Sequence, residues 1–102
     1  MDLDDILIRI KQARDKANLS ARELSLRLGK NSSYITKLEA REFEPSMKIV
    51  LEIIETCGIS PEEFFYYDMT KYSKDKQLFS YFKKLTDKQK QAILNLYDND
   101  KQ

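Results

Sequence analysis

The sequence predicts an all-α protein. Three observations carry this: apolar residues recur at three- and four-residue spacing from Ile6 to Tyr97, no stretch alternates apolar and polar as a half-buried strand does, and capping residues precede the apolar runs. The first helix is expected from about Asp4 to Ala17. Ile6, Leu7, Ile10 and Ala13 form its inner stripe, Asp4 and Asp5 suit its positive N-terminal end, and Asn18 stops it.

Ser20 followed by Glu23 is a capping box, so a second helix starts at Ala21. Leu24 and Leu28 repeat at i and i+4, and Gly29 follows where a left-handed residue ends a helix. Asn31 or Ser32 is expected to cap a third helix over residues 32–39, whose Ile35 and Leu38 share a buried face. Two helices across so short a turn make a helix-turn-helix over about residues 20–39.

A fourth helix is expected after Pro45, capped by Ser46, with Ile49, Val50, Ile53, Ile54 and the lone Cys57 inward and Gly58 as its stop. A fifth opens at Ser60, with Pro61 in its first turn and Glu63 closing a capping box. Beyond Asp68, the polar run MTKYSKDK reads as a loop or linker. Helices then resume: Leu78, Tyr81, Phe82 and Leu85 form one stripe, and Thr86 with Gln89 caps another carrying Ala92, Ile93, Leu96 and Tyr97. Stripes on helices this short need something to lie against, either the protein's own domain or a second subunit. The organisation expected is therefore a domain over residues 1–68 and a helical extension over 69–102, a candidate dimerisation element. Phe64, Phe65, Tyr66 and Tyr67 offer a second apolar surface for pairing.

At 102 residues and a net charge of +1, the chain is polarised more than it is charged. Residues 1–8 carry −3, 9–41 carry +6, 42–68 carry −6 and 69–102 carry +4. A basic face over the helix-turn-helix draws phosphates by counterion release, while the acidic remainder limits indiscriminate binding. With no histidine and one cysteine, an ordinary zinc site within one chain and a Ser-His or Cys-His nucleophile are excluded, and two glycines build no phosphate loop. No enzyme activity, metal or cofactor is expected. The acidic first residues are unlike a secretory signal, and no apolar run reaches the roughly eighteen residues of a membrane span, so a cytoplasmic location is expected.

The outward face of the third helix follows from a turn of about 100° per residue. With Ile35 at the centre of the buried side, Ser33 and Lys37 fall opposite it and Thr36 and Ser32 on one flank, so the outer surface is short, polar and free of acids. Such hydroxyls can exchange hydrogen bonds with base edges, and Lys37 can reach guanine acceptors or a phosphate. Tyr34 flanks this face on the other side, either against a sugar-phosphate edge or packed on the preceding helix.

Leu19-Ser20, Glu23-Leu24, Leu28-Gly29, Ile35, Glu39, Pro45-Ser46 and the closing Ile59-Ser60-Pro61-Glu62-Glu63-Phe64-Phe65 together resemble the helix-turn-helix regulators of the phage repressor and Cro type, the XRE family. The likeness covers residues 5–68 and is greatest to small single-domain regulators of Gram-positive bacteria with tyrosine at the position of Tyr34. It implies a five-helix lambda-repressor-like domain that binds double-stranded DNA, and an ion pair between Arg14 and Glu39 that fixes the reading helix against the body. Arg14 lies among Ile10, Ala13 and Ala17, where a charge needs a partner.

Two positions depart from the family's pattern. Ala21 stands where the family usually has a phosphate-gripping glutamine, and Ala40-Arg41-Glu42-Phe43-Glu44 replaces a glycine-bearing basic loop with one cation between acids. Base reading is thus expected of Asn31, Ser32, Ser33, Thr36 and Lys37, and backbone contact of Arg22, Lys30, Tyr34 and Arg41. The expected function is a homodimeric, sequence-specific repressor on a palindromic operator. The alternative is an antitoxin or other protein-interaction module, with a toxin as partner and DNA binding secondary or lost; the two departures favour it and the basic face opposes it.

Overall fold

The computed structural model describes residues 1–100, with side chains through Asp98. Its contacts divide the chain after Met69 into two units. All regular structure among the described residues is helical.

In the first unit, α1 spans Leu3–Lys16. It starts ahead of the expected Asp4 because Asp2 and Asp5 form a capping box, the Asp5 amide donating to Asp2 at 3.0 Å and the Asp2 amide to Asp5 at 2.9 Å. The Asp5 amide also holds the Asp2 carboxyl below its usual value. α2 (Ala21–Arg27), α3 (Tyr34–Glu39), α4 (Met47–Cys57) and the single turn α5 (Pro61–Phe64) follow.

The first four helices end alike. Asn18, Gly29, Arg41 and Gly58 are left-handed, with φ from 56° to 73°. The next amide then reaches back over the last turn: Leu19 donates to Arg14 O at 3.1 Å, Lys30 to Ser25 O at 3.0 Å, Glu42 to Lys37 O at 3.1 Å and Ile59 to Ile54 O at 3.3 Å. Glycine adopts this conformation freely and asparagine readily. Arg41 adopts it against steric resistance of about 1 kcal/mol.

The core is built where the helical stripes meet. Ile10 and Ala13 of α1, Leu24 of α2, Ile35 and Leu38 of α3 and Ile53 of α4 are all fully buried. α2 lies on α3, and α1 on α4. Phe64, grouped by sequence with an exposed aromatic run, is also fully buried; Phe65 and Tyr67 are exposed and Tyr66 half-buried. The apolar character of a cluster does not reveal which member closes the core.

Two basic side chains on α1 secure the far end of the unit. The Arg9 guanidinium donates to the carbonyls of Phe64 at 2.7 Å, Tyr67 at 3.1 Å and Tyr66. Lys16 pairs with Glu63. That pairing corrects the expected capping box at the fifth helix: the Ser60 hydroxyl accepts the Glu63 amide at 3.1 Å, but the buried Glu63 carboxylate turns to Lys16 instead of back to Ser60. A charge taken from water gains more from a cation than from an amide.

The second unit runs from Thr70. A 3-10 turn over Met69–Lys71 leads into α6 (Tyr72–Lys83), so MTKYSKDK is mostly helix and not the expected linker. Lysine-rich helical turns are indistinguishable in composition from solvated loops. α7 (Asp87–Asp100) opens on the expected box, with the Gln89 amide donating to Thr86 Oγ1 at 3.1 Å and the Thr86 amide to Gln89 Oε1 at 2.9 Å. The apolar stripes of this unit remain exposed: Leu78, Tyr81, Phe82, Ile93, Leu96 and Tyr97 are each 42–65% exposed, and Leu85 is half-buried.

Candidate nucleic-acid interface

The site is the pair α2 and α3 with the turn between them. α2 starts at a capping box in which the Glu23 amide donates to Ser20 Oγ at 3.0 Å and the Ser20 amide to the Glu23 carboxylate at 3.4 Å. Leu24 then enters the core, and Arg22 and Arg27 stand exposed on the outside.

α3 is shorter than its sequence suggests. It begins at Tyr34, not at residue 32, and neither Asn31 nor Ser32 caps it. Asn31 forms a local turn instead, its Oδ1 accepting the Ser33 amide at 3.1 Å and the Ser33 hydroxyl at 3.0 Å. The first-turn amide of Ile35 donates to the Ser25 hydroxyl at 2.9 Å, and that hydroxyl donates to Ala21 O at 2.7 Å. Ser25 is fully buried on α2, so α3 takes its cap from the neighbouring helix. Nothing local in sequence indicates a cap ten residues upstream.

The other end of α3 is held by charge. Arg14 Nε donates to Glu39 Oε1 at 3.0 Å and Arg14 Nη2 to Glu39 Oε2 at 3.2 Å, while Nη1 reaches Leu19 O at 3.1 Å. The side chains are 13% and 19% exposed, and the paired carboxylate holds the Arg14 guanidinium above its ordinary pKa. A six-residue helix is thus fixed at both termini and buried along Ile35 and Leu38.

The predicted contact residues do not share one environment. Asn31, Thr36 and Lys37 are exposed, whereas Ser32 and Ser33 are half-buried, and the Ser33 hydroxyl is engaged by Asn31. Tyr34 packs forward along the chain: its ring lies 5.1 Å from that of Phe43, with Lys30 Nζ 5.5 Å from its centroid. Lys30 and Tyr34 line a cleft with Ser46 and Lys48, which adds a cation that sequence reasoning missed because it belongs to the next helix. Arg41 reaches the other way, its Nη1 lying 2.8 Å from Asp4 Oδ1 on α1.

Among the described residues no helix is long and apolar enough to cross a membrane. A family model described as helix-turn-helix matches residues 10–64, from the middle of α1 through α5. The chain is 33% identical over 60 residues to an uncharacterized HTH-type transcriptional regulator of Archaeoglobus fulgidus, an alignment covering 59% of this chain and 84% of that protein. No solved structure matches. The chain belongs to the XRE-type helix-turn-helix family, whose members are DNA-binding regulators of transcription.

Proposed function

We propose that the protein is a sequence-specific transcriptional repressor that places α3 in the major groove of a palindromic operator as a homodimer. The observation that carries this reading is a short helix pinned at both ends, presenting exposed Thr36 and Lys37 on the side away from its buried Ile35 and Leu38. Base-edge recognition needs a rigid helix with short polar or basic side chains outward. Lys37 and Thr36 would read bases, with Asn31, Ser32 and Ser33 at the helix tip. Arg22, Lys30 and Lys48 surround this face as phosphate contacts, and Tyr34 supports Lys30. Arg41 would contact a phosphate only on releasing Asp4, an exchange that costs little because the pair is exposed.

Pairing is assigned to the second unit. Helices of 12 and 14 residues with exposed apolar side chains are marginal alone and gain from a partner that covers them, and a two-fold operator is read by a dimer whose recognition helices lie about 34 Å apart. The same exposed apolar side chains favour a second reading, a protein-interaction module with a heterologous partner such as a toxin. Removing residues 70–102 and measuring mass in solution separates the two: loss of the dimer supports self-pairing, and a full-length monomer supports the heterologous partner.

The test of base reading is Lys37→Ala on an operator obtained by selection. Specific binding should weaken by about 1 to 3 kcal/mol while binding to unrelated DNA changes less. An equal loss on every sequence makes Lys37 a phosphate contact only.

A further inference from the structure

The geometry points to Ser25 as a positioning residue for DNA reading: its hydroxyl, on α2, sets where the N-terminal end of α3 lies and therefore where Thr36 and Lys37 meet the bases. Ser25 is fully buried, yet it makes no apolar contribution that alanine could not make. What it adds is one oxygen that donates to Ala21 O at 2.7 Å and accepts the Ile35 amide at 2.9 Å. The hydroxyl thus uses its proton on its own helix and its lone pair on the next, and cannot turn without giving up both bonds.

The consequence lies in the arrangement of the two helices. The C-terminal end of α3 is tied to α1 through Glu39 and Arg14; at the N-terminal end Tyr34 packs on Phe43, and among the described residues the side-chain hydrogen bond to a first-turn amide of α3 comes from Ser25. Ser33 flanks the helix without a capping bond of its own. Without the Ser25 oxygen, the Ile35 amide is buried and unsatisfied, and the first turn of α3 must tilt or fray to find water. Hydrogen bonds to base edges tolerate displacements of only about 0.5 Å. Arg22 and Lys30 are carried by α2 and the turn, so contact with phosphates does not depend on this bond.

This inference rests on the proposed base reading by α3, and its test separates the two. Ser25→Ala, and Ser25→Cys as a variant that keeps the volume but accepts hydrogen bonds poorly, are compared with the unaltered protein at a temperature where each is folded. Binding is measured to a selected operator and to unrelated DNA over a range of salt. The ratio of specific to unrelated binding should fall about tenfold, with the salt slope unchanged. A lowered melting temperature with the ratio intact would make Ser25 merely structural and overturn the inference. An unaltered protein that prefers no sequence refutes the base-reading proposal itself. Should both variants fail to fold, amide exchange in the unaltered protein decides: the Ile35 amide should be protected like core amides, and free exchange there overturns the role of Ser25.

Discussion

Replacing Glu39 with alanine probes the joint between α3 and the rest of its unit. Two charge-assisted hydrogen bonds, at 3.0 and 3.2 Å, are lost together. Breaking a fully buried pair by removing one partner costs about 3 to 5 kcal/mol. Here the side chains are 13% and 19% exposed, and Arg14 keeps Leu19 O at 3.1 Å, with the exposed Asp15 carboxylate 3.8 Å away. Partial hydration and these remaining acceptors reduce the expected loss to about 2 to 3 kcal/mol. For a domain of this size that lowers Tm by roughly 10 to 20 °C, read by circular dichroism. Combining Glu39→Leu with Arg14→Met should recover most of the loss, because no charge is then stranded. A single variant melting within a degree or two of the unaltered protein refutes the reasoning, as does a double variant less stable than Glu39→Ala.

Other outcomes follow from the same geometry. Arg41→Gly should raise stability by about 0.5 to 1 kcal/mol, since the left-handed conformation at φ 66° suits glycine and the exposed pair with Asp4 contributes little; thermal melting checks it, and a destabilised variant would mean that the pair matters more. Arg9→Met should destabilise by about 2 to 3 kcal/mol, read by urea titration, because the carbonyls of Phe64, Tyr66 and Tyr67 lose their shared donor. Burial holds the Cys57 thiol above its ordinary pKa, chiefly through desolvation, with Arg14 and Arg27 opposing. The unfolded chain therefore gives up this proton at lower pH than the folded one, so the contribution to stability is present below the ordinary thiol pKa and is lost as pH rises through the raised one. A thiol reagent at mildly alkaline pH should modify Cys57 far more slowly in the folded protein than in denaturant, and equal rates would contradict its burial.

The helix-turn-helix was legible because its signals are local. Ser20 and Glu23 stand three residues apart, Leu24 and Leu28 four, and Gly29 marks a stop whose conformation any side chain would resist. The Arg14 to Glu39 pair crosses 25 residues, and only the family's pattern pointed to it. What escaped depends on competition between partners. Glu63 had a local amide and a distant lysine to choose from, and the lysine won. Asn31 looked like a helix cap, but its side-chain Oδ1 serves Ser33 while Ser25 takes the amide of Ile35. The polar run after Asp68 carries no periodic apolar signal, so its helical turns had no sequence mark. Nor does the sequence reveal that Arg41 would be drawn to Asp4, since the two meet only after α1 and α3 have packed.

In the proposed function, α3 reads a defined, two-fold symmetric DNA sequence. Selection from random double-stranded oligonucleotides with the full-length protein at low salt tests it most directly. Enrichment of a palindrome whose half-sites lie about one helical turn apart is the expected result, and a binding constant whose logarithm falls linearly with the logarithm of salt concentration should accompany it. Failure to enrich any sequence, from a protein shown to be folded, would contradict it.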